Sequence, residues 1–276
     1  MPTSAAPPRD LAGARIHLVS GPEEGARLAT DRIVEAARVA IAARGRAVLG
    51  LATGKTPILV YERLSELHRA GSFSFRDVET FNLDEYYPIS PFDPNSYRSY
   101  MHRHLFSKVD IAPDHAHVLD GTVPPAFAGD HCAEFDRWIA AAGGLDLQLL
   151  GIGRNGHIGF NEPSGLGLEE ARSLPTRPVD LHPITRADAL ADFGGNADAV
   201  PMKALTMGVG PILAARSILV LAFGPAKAEA VASALLGPLT AAMPASLLQL
   251  AGDSVTWILD AAAAEGLDLG GRGHGA

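Results

Sequence analysis

Short apolar runs alternate with longer segments of helical periodicity along most of the chain. The apolar runs predict strands at residues 15–20, 46–51, 78–83, 116–119, 145–150, 217–222 and 254–259. Helical spacing of apolar positions predicts helices at residues 21–43, 57–69, 96–106, 126–142 and 225–236. Strands that alternate with helices indicate an α/β fold, in which helices cover both faces of a mostly parallel sheet.

The hydrophobic pattern is weaker at the two ends of the chain and in one internal segment. Residues 15–260 are expected to form a single α/β domain, between a flexible arm at 1–14 and a flexible tail at 261–276. Residues 164–196, here called the lid segment, have little periodicity. Long irregular segments beside an active site often serve as lids, and we expect the same here.

Composition is that of an ordinary globular protein and excludes several partners. The chain has 276 residues, a hydrophobic fraction of 47% and a net charge of −8. Because nucleic-acid phosphates would be repelled, no nucleic-acid partner is expected. The lone Cys132 and an N-terminus without an apolar signal-peptide core predict a cytoplasmic protein. No run approaches the roughly 20 apolar residues of a membrane span, so no membrane partner is expected.

The most informative stretch is the glycine-rich loop, residues 151–163, which reads GIGRNGHIGFNEP and follows a predicted buried strand. Its glycines let the backbone pass close to a ligand, and it carries an imidazole, His157, and a carboxylate, Glu162. Its first glycines match the dinucleotide pattern G-x-G-x-x-G, but Pro163 follows where a helix should run. A second apparent motif, Gly54 with Lys55, fails as a P-loop because only three residues separate it from Gly50.

A turn after the second predicted strand has the composition of a phosphate site. Thr53, Gly54, Lys55 and Thr56 precede Pro57 at the start of a predicted helix. Backbone donors and the helix dipole favour an anion there. An ordinary capped turn would explain Thr56 and Pro57 but leaves Lys55 unexplained.

Charged residues at two other strand ends are candidates for chemistry. Asp84 and Glu85 follow an apolar strand, where a carboxylate gains proton affinity and can act as a base, although such residues are also often helix caps. Lys227 stands in the first turn of a predicted helix, where a cation is unfavourable to the helix and an anion-binding role gains weight. The H-x-H pairs of the chain lack a third ligand at a familiar spacing, so no metal is expected.

Taken together, these motifs resemble those of the glucosamine-6-phosphate deaminase family. Besides the glycine-rich loop, the matching stretches lie at residues 49–54 with 56–57, 80–86, 96–97 with 101–102, 204–210 and 244–249. The resemblance covers about residues 15–260 and implies a three-layer Rossmann-like fold. It also implies that an amino-sugar phosphate and water become a ketose phosphate and ammonia, without metal or organic cofactor.

The resemblance gives each candidate a role. His157 would move a proton between the anomeric hydroxyl and the ring oxygen, with Glu162 orienting it and stabilising its charge. Asp84 would take the proton from C2 and return it at C1. Many relatives carry Asp where this chain has Asn155, and an amide can only orient its neighbours through hydrogen bonds.

The residues expected to bind the phosphate depart from the family pattern. Relatives usually carry an arginine in the lid that holds the phosphate, whereas the aligned residues 189–193 contain none. We therefore expect Lys55, together with Arg186, to supply positive charge beside Thr53, Gly54, Thr56 and Lys227.

Three alternatives stay open at this point. The substrate could be an epimeric amino-sugar phosphate, because the residues that contact its far hydroxyls cannot be identified. A related 6-phosphogluconolactonase would use the same imidazole but has no evident need for Asp84. A sugar-phosphate sensor would normally bring a DNA-binding domain, for which this chain lacks room. A homo-oligomer is also compatible with the sequence.

Overall fold

The computed structural model describes residues 9–11 and 13–267, which contain eleven strands and eight α-helices. The strands are β1 Arg9–Leu11, β2 Ala14–Val19, β3 Ala47–Leu51, β4 Val78–Asn82, β5 Asp84–Tyr87, β6 Ala116–His117, β7 Leu147–Gly151, β8 Arg177–Asp180, β9 Lys203–Thr206, β10 Ile218–Ala222 and β11 Val255–Asp260. The helices are α1 Pro22–Arg44, α2 Ile58–Arg69, α3 Tyr97–His104, α4 Ala128–Ala141, α5 Leu168–Arg172, α6 Pro183–Ala189, α7 Val209–Leu213 and α8 Ala228–Leu236.

The larger of two sheets has the strand order β1-β2-β11-β10-β7-β3-β4-β6. All its neighbouring strands pair in parallel except β1, which pairs antiparallel with β2 at one edge. Strands buried on both faces explain why these segments have continuous apolar runs in place of alternation. The predicted mostly parallel α/β sheet is confirmed.

Helices pack on both faces of this sheet and make three layers. Successive side chains of a strand point to opposite faces, and β3 shows the result. Leu49 packs in one core cluster with Ile33 of α1. Val48 packs in the other cluster with Phe135 of α4 and Val231 of α8.

The second sheet, which the sequence did not predict, is antiparallel and has the order β5-β9-β8. In it Asp84 pairs with Thr206, and Thr206 pairs on its other side with Arg177. Because β8, α5 and α6 all lie within residues 164–196, the lid segment has regular structure and is joined to the site through β9. Its short elements carry too few residues for a periodic signal.

The prediction of a flexible arm and a flexible tail is wrong for part of each segment. Arg9–Leu11 pairs with β2, because that edge strand offers free backbone groups to the chain before it. At the other end, residues 261–267 form turns in which Ala263 and Leu267 are buried in the main core cluster. Small apolar side chains can fill a core without showing a periodic pattern. The rest of the predicted arm and tail, residues 1–8, 12 and 268–276, lies outside the described residues.

Residues 9–11 and 13–267 contain neither a membrane-spanning helix nor a metal-binding cluster. No helix in these ranges is long and apolar enough to cross a membrane. The same ranges contain no group of three or more His, Cys, Asp and Glu side chains arranged to hold a metal ion.

Candidate active site

Four adjacent parallel strands lead to the site residues predicted from the sequence. The four strands are neighbours in the order β10-β7-β3-β4. Lys227 follows β10, and the glycine-rich loop follows β7. Residues 52–57 follow β3, and Asp84 follows β4. The carboxyl ends of parallel strands meet at one edge, where open α/β sheets bind ligands. The topology therefore brings to one edge residues that lie far apart in sequence.

Asp84 is a buried carboxyl group at the passage from β4 to β5, and the residue is only 6% exposed. Its Oδ1 accepts no hydrogen bond from any residue that the structure describes. Burial, together with the neighbouring charge of Glu85, raises the pKa of Asp84 to about 8. Asp84 therefore combines high proton affinity with an oxygen that has no hydrogen-bond partner among the described residues.

Glu85 is buried as well, but its oxygens are engaged by backbone groups. It accepts hydrogen bonds from the N–H groups of Tyr86, Tyr97 and Arg98, two of which open α3. Burial raises the pKa of Glu85 to about 7, although these donors act against the rise. Of the two adjacent carboxyl groups, Glu85 serves the helix N-terminus and Asp84 does not.

The glycine-rich loop passes close to Asp84 at Gly159. This glycine has φ 56°, and a Cβ there would lie 3.5 Å from Asp84 Oδ2 and 3.1 Å from Thr206 Oγ1. Thr206 in turn accepts a hydrogen bond of 3.0 Å from the Phe160 N–H. A side chain at Gly159 would be strained and would crowd the carboxyl group.

Asn155 lies between His157 and Glu162 and is hydrogen-bonded to both. Its Oδ1 is 2.7 Å from His157 Nδ1 and also accepts the His157 backbone N–H at 3.3 Å. Its Nδ2 donates to Glu162 Oε2 at 2.9 Å. Because the amide oxygen can only accept, Nδ1 carries the proton, and Nε2 of a neutral ring is left as an acceptor.

Glu162 lies next to His157, with its Oε2 3.4 Å from His157 Nδ1, and it is also joined to the ring through Asn155. Burial favours the protonated form of Glu162, but hydrogen bonds and charge from His157, Thr185 and Asn155 outweigh it and lower the pKa to about 2. Thr185, which donates to Glu162 Oε1, belongs to α6 of the lid segment. The lid segment thus completes the surroundings of the carboxylate.

Gly153 fixes the position of the imidazole. A Cβ at this residue would lie 2.2 Å from His157 Nδ1, which no side chain could occupy. The ring therefore packs directly on the backbone of its own loop. This close approach, rather than nucleotide binding, accounts for Gly153, the second glycine of the pattern noted in the sequence.

The turn at residues 52–57 leads into α2 and is held from α3. Tyr100 donates its hydroxyl to the Gly54 carbonyl at 2.6 Å. Thr53 and Thr56 are half-buried, whereas Lys55 is exposed and forms no ion pair with any residue that the structure describes. The turn therefore combines two half-buried threonines with one exposed cation that has no ion-pair partner among the described residues.

The other two predicted cations are placed differently from each other. Lys227 is drawn toward the glycine-rich loop, where its Nζ donates to the Ile152 carbonyl at 2.8 Å. Arg186 instead donates from Nη2 to the carbonyls of Ala197 at 3.1 Å and Val200 at 3.3 Å. Arg186 thus holds the backbone of residues 197–200, which follow α6 in the chain.

Comparison with known proteins decides the family. A family model described as glucosamine-6-phosphate isomerases/6-phosphogluconolactonase matches residues 20–257. The chain belongs to this family. A glucosamine-6-phosphate deaminase of Hahella chejuensis is 42% identical over 258 residues, which make up 92% of each chain.

Solved structures of family members have the same fold. A monomeric glucosamine-6-phosphate deaminase superposes with a TM-score of 0.83 at 38% identity, covering 91% of this chain and 99% of that one. The 6-phosphogluconolactonase of Trypanosoma cruzi superposes with a TM-score of 0.75 at 20% identity, covering 96% and 100%. At that identity the lactonase likeness shows the fold alone. The three-layer prediction and the family resemblance are both confirmed.

The site of this family member also includes side chains that the sequence did not single out. Thr185 contacts Glu162 from the lid segment, and Arg154 forms an ion pair with Asp188 of the same helix. Arg154 belongs to the glycine-rich loop, where it had no recognisable partner in sequence. A single threonine in a segment without periodicity gives no functional signal in the sequence. Its contact with Glu162 becomes evident only from the position of α6 in the structure.

Proposed function

We propose that this chain is a glucosamine-6-phosphate deaminase, which converts glucosamine 6-phosphate and water into fructose 6-phosphate and ammonia. The observation that carries the proposal is the buried Asp84, whose Oδ1 has no partner among the described residues and whose pKa is raised to about 8. It lies beside the loop that holds His157 and Glu162. A carbon base next to an oriented imidazole is what an aldose–ketose isomerisation requires. The 42% identity to a deaminase supports the same reaction.

Ring opening falls to His157. Its Nε2 accepts the proton of the anomeric hydroxyl and delivers it to the ring oxygen, so that the C1–O5 bond breaks and an aldehyde forms. The ring is transiently positive between these transfers. Glu162, ionised because its pKa is lowered to about 2, stabilises that charge, and Asn155 keeps the ring in place.

Asp84 performs the carbon chemistry. Its carboxylate removes the proton from C2 of the open chain. The C–H electron pair forms the C1–C2 double bond of an enolamine, while the C1=O electron pair moves to O1, which takes a proton from solvent. The carboxylic acid then returns its proton to C1, and the nitrogen lone pair forms an iminium group at C2. Water adds to C2, one of its protons passes to the nitrogen and the other to solvent, and ammonia leaves, giving the ketone. The atoms balance as substrate plus water to ketose phosphate plus ammonia.

The phosphate would bind where the turn at residues 52–57 meets Lys227. Hydroxyls of Thr53 and Thr56 and backbone donors at Gly54 lie next to the first turn of α2, where an anion is favoured. Lys227 and Lys55 would supply the charge. The proposal leaves out Arg186, because its Nη2 is held at the carbonyls of Ala197 and Val200, in the chain that follows α6.

Three finer points belong to the same proposal. The enzyme is a hydrolase that isomerises its substrate, and we infer a cytoplasmic location from its single cysteine. A homo-oligomer stays a prediction, which sedimentation would test against the monomeric state of the solved deaminase. The sugar is the gluco epimer, and assays of the manno and galacto epimers would test that choice.

The test is to incubate the purified protein with glucosamine 6-phosphate and to measure ammonia and fructose 6-phosphate. We expect both products in equal amounts, and neither with Asp84→Asn. Hydrolysis of 6-phosphogluconolactone without ammonia would overturn the proposal in favour of a lactonase. Binding of the sugar phosphate with neither reaction would overturn it in favour of a sensor.

A further inference from the structure

A charged cluster joins the glycine-rich loop to the lid segment. Arg154 Nε donates to Asp188 Oδ2 at 3.2 Å, and its Nη2 donates to the other oxygen of the same carboxylate. Lys227 lies beside this pair and is bound to the carbonyl of Ile152, two residues before Arg154. Burial lowers the pKa of Lys227, and the charges of both Asp188 and Arg154 act on it. Two cations and one carboxylate therefore lie together at the edge of the site.

The lid helix α6 contacts the glycine-rich loop through one face. Thr185 and Asp188 are three residues apart, which puts them on the same side of a helix. Thr185 donates to Glu162, and Asp188 accepts from Arg154. The fork of Arg154 is thus held in a fixed orientation, while Nη1 takes no part in the hydrogen bonds formed with described residues.

The Arg154–Asp188 pair is hard to explain as a stabilising contact. The two side chains are 53% and 43% exposed, and exposed ion pairs contribute little to stability. A phosphate group, by contrast, carries up to two negative charges and prefers the planar fork of an arginine. The lid residues 189–193 contain no arginine to provide one.

We propose that Arg154 is a specificity-determining residue for the phosphate of the substrate, and that Asp188 is its positioning residue. The inference rests on the proposed function, because it assigns the phosphate to the region of Lys227. Arg154 would contact the phosphate oxygens through Nη1, while Asp188 retains Nε and Nη2. The positive charge that residues 189–193 lack is then supplied from the glycine-rich loop.

Steady-state kinetics of four single variants and one double variant test this assignment. Arg154→Gln should raise KM for glucosamine 6-phosphate about 10- to 100-fold, with kcat within about threefold, because a charged hydrogen bond made in both ground and transition states is lost. Arg154→Lys should recover part of that loss. Asp188→Asn should raise KM less, and should add nothing in the Arg154→Gln background. Arg172→Gln, which removes an exposed lid arginine paired with Glu169, is the matched control and should leave KM unchanged.

Inhibition by inorganic phosphate measures binding of the phosphate group separately from binding of the sugar. Its inhibition constant should rise in parallel with KM in Arg154→Gln. The proposal is overturned if Arg154→Gln has the KM of Arg172→Gln, if kcat falls while KM stays, or if inhibition by phosphate is unchanged. Should the wild-type protein release no ammonia, the proposed function fails. Calorimetric titration of phosphate into wild type and Arg154→Gln then decides the role of Arg154 separately.

Discussion

The proton-transfer half and the phosphate half of the candidate site differ in burial and in how their side chains are held. In the first half, Asp84 is 6% exposed, and the side chains of His157 and Glu162 are 18% and 11% exposed. In the second half, Gly54 and Lys55 are exposed. Hydrogen bonds within the protein orient His157 and Glu162, and burial confines Asp84, whereas Lys55 forms no ion pair with any residue that the structure describes.

This difference predicts which kinetic constant, kcat or KM, each half of the site affects. Groups aligned before the substrate arrives act on the transition state without reorganisation and therefore affect kcat. Exposed groups contribute binding in the ground state and the transition state alike and therefore affect KM. Substitutions in the two halves should separate along this line, with the largest losses in the buried half.

The largest effect is expected from Asp84→Asn, which removes the carbon base. We expect kcat/KM to fall by about 10²- to 10⁴-fold, the usual contribution of a positioned acid–base group. Asp114→Asn, at an exposed carboxylate, is the control and should keep full activity. Substantial residual ammonia release by Asp84→Asn would contradict the assignment.

The same variant should gain stability in alkaline solution. The pKa of Asp84 is about 8 in the folded protein, against about 3.9 in an unfolded chain. The folded state therefore holds a proton that the unfolded state releases, and wild type loses stability as pH rises from about 4 through 8. Asparagine does not ionise, so the Tm advantage of Asp84→Asn should grow between about pH 5 and pH 8.5. A constant Tm difference would contradict the raised pKa.

The second effect is the pH dependence of wild type. Only the ionised form of Asp84 is a base, so kcat/KM should rise about tenfold per pH unit below its pKa and level off near 8. Glu162, with a pKa of about 2, stays ionised over this range and adds no limb. A profile that is flat between about pH 6 and pH 8 would show that another group limits the reaction.

A smaller effect is expected where the lid segment meets the buried half. Thr185→Val removes the hydroxyl that donates to Glu162 and should lower kcat about tenfold, the size of a hydrogen bond to a charged group. Thr185→Ser keeps the hydroxyl and is the matched control. Equal losses in both variants would mean that the methyl packing of Thr185 matters, and not its hydrogen bond.

The smallest effect is expected at Lys55. Lys55→Ser should raise KM for the sugar phosphate only about two- to fivefold and leave kcat unchanged, because an exposed charge acts weakly through water. Glu62→Gln, on the adjoining helix, is a surface control for charge. An unchanged KM would remove Lys55 from the phosphate site, and a loss in kcat would break the division between the two halves.

The sequence predicted most of the larger sheet, and it singled out the candidate residues of the proton-transfer half, because both depend on contiguous patterns. The buried strands have continuous apolar runs, and Asn155, His157 and Glu162 all belong to one loop. The antiparallel sheet of β5, β8 and β9 was not predicted. Its strands have only four residues each, too few for a periodic signal.

The phosphate half could not be predicted equally well, because its charges come from separate segments. The sequence suggested Arg186, whose guanidinium the structure directs to the carbonyls of Ala197 and Val200. It gave no reason to choose Arg154, since the partner Asp188 is 34 residues away and is brought near only by the packing of α6. Long-range pairs of this kind depend on tertiary structure.

The most direct measurement follows a deuterium label placed at C2 of glucosamine 6-phosphate. If Asp84 carries the proton from C2 to C1 within a buried pocket, part of the label should appear at C1 of the fructose 6-phosphate, as seen by NMR. The remainder should exchange into solvent, and Asp84→Asn should transfer none. Ammonia release by wild type with no deuterium at C1 would contradict the central claim that Asp84 shuttles this proton.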